Sequence, residues 1–317
     1  MIEPGDEDVH GVGTDEHWQE SWYFNWADPG RSLFGLSRIG FRFHQRQVDG
    51  LVLSLRGGRP EYLYPGVNRR QSEAWTARSA AGGLRAGRLT FRMEEPLRRW
   101  RLLLRGRHEM DLTFEAFTPA FDYRRCSGLP RDVAGAHFEQ SGRVTGRTRF
   151  RGRETAVDGR GQRDKSWGVR DWASIAGWDW ISAQFGEDLS FSVWRGLSDG
   201  RPTVSGFVFR DGENHAVERL DLDYEWRRPH LPRTAGIELH DGSGHVHRVE
   251  ASALGRFPLW KRGLWVEEVP ASFRCDRRGG AVRQGVGVIE HAWHAGTLGT
   301  LRHGGDLLRT AVAALRP

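Results

Sequence analysis

Along most of the chain apolar and polar residues alternate with a period of two. Leu89, Phe91 and Met93 alternate with Arg88, Thr90 and Arg92; Trp100, Leu102 and Leu104 alternate with Arg99, Arg101 and Leu103; Leu112, Phe114 and Ala116 follow. Successive side chains of an extended strand point to opposite faces, so this pattern predicts half-buried antiparallel strands. Further strands are predicted over Leu33–His44, Leu51–Leu55, Phe138–Val144, Trp178–Phe185, Leu189–Arg195, Val204–Arg210 and Gly285–Trp293, many bounded by glycine-containing turn signals. Asp211-Gly212 and Asp241-Gly242 sit between alternating runs, where an Asp-Gly pair supplies the positive φ of a tight hairpin. Helical spacing is confined to Gly304–Leu315, where Leu307, Leu308, Ala311 and Leu315 form one stripe. The expected fold is therefore all-β, with two antiparallel barrels or curved-sheet halves and a short C-terminal helix.

The chain has 317 residues, more than one ordinary β domain needs, so two domains are expected. The boundary falls in the region 175–190, giving domains of residues 1–180 and 181–317. No alternation of strands with helices is visible, and a parallel sheet with crossover helices is not expected.

The formal charge of +6 invites a nucleic-acid partner. The basic residues, however, are scattered singly along strand-like segments and interleaved with acids, which does not make a phosphate-tracking stripe. Cys126 and Cys275 stand far apart without a CxxC partner, so neither a disulfide scaffold nor a zinc ribbon is implied. The first fifteen residues lack an apolar run, and no stretch is long and apolar enough to be a transmembrane segment. The expected location is the cytoplasm.

The least ordinary segment is Gly159–Trp172, followed at once by Trp178-Asp-Trp180. Instead of one apolar and one polar face, it carries Asp164, Ser166, Arg170 and Trp172 on one side and Arg163, Lys165, Trp167 and Asp171 on the other. Charges buried without partners cost several kcal/mol, so such a strand must pair its groups with one another or with a ligand where the halves meet. A carboxylate desolvated beside tryptophans gains proton affinity and can act as an acid near neutral pH, which is the functional role open to Asp164. The structural alternative pairs Asp164 with Arg163 or Arg170 in a salt-bridge cluster. In either case Asp164 is expected to be hydrogen-bonded, with at least two of Trp167, Trp172, Trp178 and Trp180 at one cavity. His137 and Glu139 share a strand face and can relay a proton, or form a plain polar pair at a barrel rim; Glu290-His291 and Trp293-His294 admit the same two roles. His240, His245 and His247 flank a predicted turn and lack a clear further ligand, so no metal site is expected. There is no dinucleotide fingerprint, phosphate-binding loop or nucleophile elbow, and no cofactor is expected.

Several strings resemble a known family: Gly161-Gln-Arg-Asp-Lys-Ser-Trp-Gly-Val-Arg-Asp-Trp172, His137-Phe-Glu-Gln-Ser-Gly-Arg-Val-Thr-Gly146, Glu95-Pro-Leu-Arg-Arg-Trp-Arg-Leu102, Phe114-Glu-Ala-Phe-Thr-Pro119 and Trp18-Gln-Glu-Ser-Trp-Tyr-Phe24. Together they are similar to a bacterial family related to AttH-like and carotenoid 1,2-hydratase (hydroxyneurosporene synthase) proteins. The resemblance implies a tandem lipocalin-like fold and activities on lipophilic substrates, such as water addition to isoprenoid double bonds and polyene cyclisation. It maps the family's signature Asp and Trp onto Asp164 and Trp167. Lys165 stands where that family usually carries His, which removes a proton-relay role at that position.

The expected function is thus a cofactor-independent hydratase, isomerase or cyclase acting on an isoprenoid or steroid-like substrate in a β-barrel cavity. Asp164 would be the acid and His137 and Glu139 relay groups, with Trp167, Trp172, Trp178, Trp180 and Arg170 binding substrate. The alternative is a non-catalytic carrier of a lipophilic small molecule using the same cavity.

Overall fold

The structure, a computed structural model, describes residues 1–70, 80–126, 135–171, 175–198, 201–261, 263–276 and 282–315. Strands account for 68% of the described residues, which bears out the all-β expectation. The first sheet contains β1 (Trp18–Asp28), β2 (Leu33–Arg42), β3 (Gln47–Arg56), β4 (Arg59–Arg70), β5 (Leu84–Ala86), β6 (Leu89–Glu95), β7 (Arg99–Leu104), β8 (Glu109–Ala116), β9 (Phe121–Asp122), β10 (Ala136–Phe150) and β11 (Arg153–Val169). Its order is β4-β3-β2-β1-β11-β10-β8-β7-β6-β5, with β9 alongside β10. The second contains β12 (Gly177–Gln184), β13 (Leu189–Ser198), β14 (Arg201–Arg210), β15 (Glu213–Arg228), β16 (Leu231–Asp241), β17 (Val246–Ala253), β18 (Phe257–Lys261), β19 (Leu264–Asp276) and β20 (Val282–His294). Its order is β17-β16-β15-β14-β13-β12-β20-β19-β18.

Both sheets curl into barrels, but they close differently. In the second, β17 pairs with β19 over Val249–Ala253, so the hydrogen-bonded ring is complete. In the first, Tyr64 spans the seam: its hydroxyl donates to the Ala86 carbonyl at 3.2 Å and accepts from the Arg88 amide at 3.2 Å. The Asp211-Gly212 hairpin forms as predicted, with Arg210 paired to Glu213 and positive φ at both turn residues. At Asp241 the turn is longer than a two-residue hairpin, and the positive φ falls on Gly244.

Each barrel is filled by its own inward face. Trp22, Phe24, Trp26, Phe91, Trp100 and Phe114 pack inside the first, and Ile181, Phe191, Val193, Leu239 and Phe273 inside the second. A third apolar cluster, including Tyr23, Leu36, Phe121, Trp180, Trp194, Phe207 and Phe257, joins the outer faces of the two barrels. The 3-10 turn Pro4–Glu7 and the residues after it cover one end of the first barrel: Glu7 is fully buried against Arg163, which also binds Gln140, and Lys165 donates to the carbonyls of Asp6 and Asp8.

The C-terminal helix α1 runs over Thr297–Leu315, a start seven residues before the predicted Gly304. It packs on β4 and β18, and this docking outweighs the poor intrinsic propensity of Gly299, Gly304 and Gly305. Its predicted stripe is split. Leu307, Ala311 and Ala314 face the body together with Asp306, whereas Leu301, Leu308, Val312 and Leu315 are exposed. Asp306 is bound by Arg228, Arg256 and Arg309. No described helix is long and apolar enough to cross a membrane.

Candidate functional site

Cross-strand register builds the site as two facing rows. On the outer face of the first barrel, Arg38, Tyr23, Asp164 and Glu139 stand side by side on β2, β1, β11 and β10. On the second, Trp194, Trp180, Glu290, Glu268 and Phe257 stand side by side on β13, β12, β20, β19 and β18. All nine line one cavity of about 560 Å³, within the size range of small-molecule sites. The expected location inside a barrel is therefore corrected. Apolar side chains pack both interiors, aromatic in the first and mainly aliphatic in the second, and the space lies between the barrels, where two outward faces of mixed character meet.

Contacts across the gap fix the rows against each other. The Trp180 indole Nε1 donates to Glu139 Oε1 at 3.0 Å, and Tyr23 packs edge-on to Trp180 with ring centroids 5.5 Å apart. Glu139 also contacts His137 Nε2 at 2.8 Å and accepts from Gln162 Nε2 at 2.9 Å, so it is a fixed acceptor between three groups. Tyr123 packs edge-on to His137, 4.6 Å between ring centroids; burial, and then the nearby Glu139 charge, push its phenol well above the usual range.

Asp164 behaves differently from its neighbour. Its carboxyl makes no hydrogen bond or ion pair among the described residues, which corrects the expectation of a hydrogen-bonded group. Neither arginine of the structural alternative is its partner: Arg163 points into the first barrel toward Glu7, and Arg170 donates to Ser166 Oγ at 2.9 Å. Burial pushes the Asp164 carboxyl up to about 6, with a smaller upward contribution from Glu139 that is opposed by His137, Arg170 and Arg38. Glu268 is shifted the same way, well above the carboxylate range, first by burial and then by Glu290 opposite it. Trp178 Nε1 donates to Glu290 Oε1 at 2.5 Å.

Of the residues singled out in the sequence, Asp164, His137, Glu139, Trp178, Trp180 and Arg170 meet at this cavity. Trp167 does not. It lies three positions from Asp164, an odd offset that puts it on the opposite face, where it stacks on His10 at 4.2 Å and sits 5.0 Å from the Lys165 ammonium. Trp172 lies outside the described residues. His291 faces away from Glu290, into the second barrel, with Nδ1 2.8 Å from Asp179. His247 contacts Asp241 at 2.9 Å and His240 lies beside Asp221 and Glu238, so the three turn histidines share no site. Tyr23, Arg38, Tyr123, Trp194 and Glu268 escaped the sequence reading. The available signal was a charge in the middle of a largely apolar strand, as at Arg38 within Leu33–Arg42 and Glu268 within Leu264–Asp276.

The profile of a domain of unknown function, DUF7064, matches residues 3–295. The chain belongs to the DUF7064 family. No curated protein matches the sequence. Among solved structures, this DUF7064 chain is similar to the AttH-like protein NE1406 of Nitrosomonas europaea, with 16% identity and a TM-score of 0.66 over 90% of this chain and 95% of that one. It is also similar to kievitone hydratase of Nectria haematococca, with 13% identity and a TM-score of 0.63 over 87% and 89% of the two chains. CghA with Sch210972 gives 14% identity and a TM-score of 0.63 over 88% and 89%. The AttH-like resemblance read from the sequence thus holds for the fold.

Proposed function

We propose that this DUF7064 protein is a cofactor-independent enzyme that protonates a lipophilic, isoprenoid- or steroid-like substrate held between its barrels, leading to hydration, isomerisation or cyclisation. One observation carries this: Asp164, with a proton affinity raised to about 6 and no partner among the described residues, faces a cavity walled by Trp178, Trp180 and Trp194. A general acid works best when its pKa lies near the working pH, and burial brings Asp164 there.

The proton balance closes within the site. Asp164 gives its proton to a substrate double bond, leaving a carboxylate and a carbocation. The indole faces stabilise the cation by about 0.5–2 kcal/mol per contact. Water then adds to the cation and sheds a proton, or a neighbouring C–H is lost; where a second double bond of the substrate adds first, the cation passes to a new carbon and ends by one of these two steps. In each case one proton returns, either to Asp164 or to the adjacent Glu268–Glu290 pair. Tyr23, between Arg38 and Asp164 in the row, and the His137–Glu139 pair position the acid. The presence of a hydratase among the fold relatives supports this class of reaction.

The test is turnover of an isoprenoid and steroid panel, followed by mass spectrometry, for the native protein and Asp164→Asn. Loss of product with ligand affinity retained is expected. Full activity of the variant would end the assignment of Asp164 and leave the carrier as the better account.

A further inference from the structure

Within this cavity Arg38 stands out among the described cations. It lies in mid-strand on β2, beside Tyr23 in the acid row, and it lines the cavity. It makes no hydrogen bond or ion pair among the described residues. Burial pulls its proton affinity down, and Asp49 and Asp164 act on it only at longer range. Arg170, at the same end of the cavity, is pulled down to about 10 by burial and then by repulsion from Arg38. A planar fork of five donors, desolvated and facing a second guanidinium, is costly to hold in a folded protein. Apolar packing would fill the position at lower cost. A buried guanidinium with no partner of its own at the wall of a cavity marks the place where a ligand supplies the counter-charge.

We infer that Arg38 is the anchor for a carboxylate on the substrate, so that the ligand is a lipophilic acid rather than a plain hydrocarbon or sterol. This deepens the proposed function and rests on the cavity being the ligand site. The charge of the ligand follows from what surrounds Arg38. Asp164, Glu139, Glu268 and Glu290 line the same space, and a doubly charged phosphate would meet several carboxyl groups for one unmatched guanidinium. A single delocalised charge matches the fork of Arg38 bidentately. The apolar remainder of the ligand would extend toward Leu36, Leu63, Leu259 and Trp260, which line the cavity as well.

Dodecanoate, methyl dodecanoate and dodecyl phosphate separate these terms. Their binding is followed by quenching of tryptophan emission, with titration calorimetry as the second readout, for the native protein, Arg38→Met and Arg38→Lys. Native protein is expected to bind dodecanoate at least tenfold more tightly than its methyl ester. Arg38→Met should lose that preference while still binding the ester, and Arg38→Lys should restore part of it. Because Arg38 has no internal partner to orphan, the methionine variant should melt at or above the native temperature, which keeps the comparison between folded proteins. Equal affinity of the native protein for acid and ester, or an unchanged preference in Arg38→Met, overturns the anchor while leaving the cavity as the ligand site. Tighter binding of dodecyl phosphate than of dodecanoate overturns the carboxylate assignment. Absence of binding by all three probes overturns the cavity reading together with the anchor.

Discussion

Glu268 stands directly opposite Glu290 on adjacent strands at the wall of the cavity. Burial and this like-charged neighbour hold the Glu268 carboxyl well above its ordinary range. Two carboxyls at such a distance share protons rather than ionise independently.

A carboxyl whose folded pKa is raised binds its proton more tightly in the native than in the unfolded chain. Its contribution is present at low pH and is lost as pH rises from the unfolded value through the folded one. Glu268→Gln removes that loss while keeping the shape. The variant is expected to match the native melting temperature near pH 5 and exceed it at pH 8, as differential scanning calorimetry at the two pH values would show. Equal melting curves throughout would mean that Glu268 is not a buried acid.

The same sign applies to Asp164, with the window set by its value of about 6. Asp164→Asn should raise stability at pH 8 by about 3 kcal/mol and leave it unchanged below pH 3. If Asp164 is the acid proposed above, turnover by the native protein should fall tenfold per pH unit above about 6, because only the protonated acid can donate. A pH–rate profile flat from 5 to 8 would point to a different donor.

Arg163 and Glu7 form an ion pair in which both side chains are essentially inaccessible, and Glu7 Oε1 also accepts the Leu97 amide at 2.8 Å. Removing one partner leaves a buried charge uncompensated. Glu7→Gln is expected to lower the unfolding free energy by about 3–5 kcal/mol and to release the N-terminal segment. The denaturant midpoint reports the first effect and limited proteolysis of the first ten residues the second.

Asp306 turns into the body of the protein, where burial raises its carboxyl but hydrogen bonds from Arg228, Arg309 and Arg256 outweigh this and hold it below the usual range. The two body arginines remain partly exposed, which tempers the gain. Asp306→Asn should loosen α1 at neutral pH at a cost of about 1–3 kcal/mol. Since Leu307 of this helix lines the cavity, bound dodecanoate should dissociate faster from the variant in a stopped-flow experiment.

Period-two patterning made the strands legible, because each barrel has one face on its own core. The tract 161–172 was legible as unusual for a sound reason. Its odd face carries Arg163 and Lys165 to the N-terminal segment and its even face carries Asp164 and Ser166 toward the cavity. What stayed hidden was the company these residues keep. Arg38 and Tyr23 reach Asp164 through pairing across more than 120 positions, and Glu268 and Trp194 come from the other barrel. Nothing local encodes those juxtapositions. Trp167 was grouped with Trp172, Trp178 and Trp180 at one cavity, although strand parity alone places it opposite Asp164.

The cavity is built half from each barrel, and that has a thermodynamic consequence. A ligand that needs both rows binds only when the barrels are docked, so its binding energy is added to the docking equilibrium rather than to the stability of either half. At a hundredfold excess over its Kd it would contribute about 2.7 kcal/mol to holding the barrels together. The substrate thereby acts as a structural cross-link for as long as it stays bound.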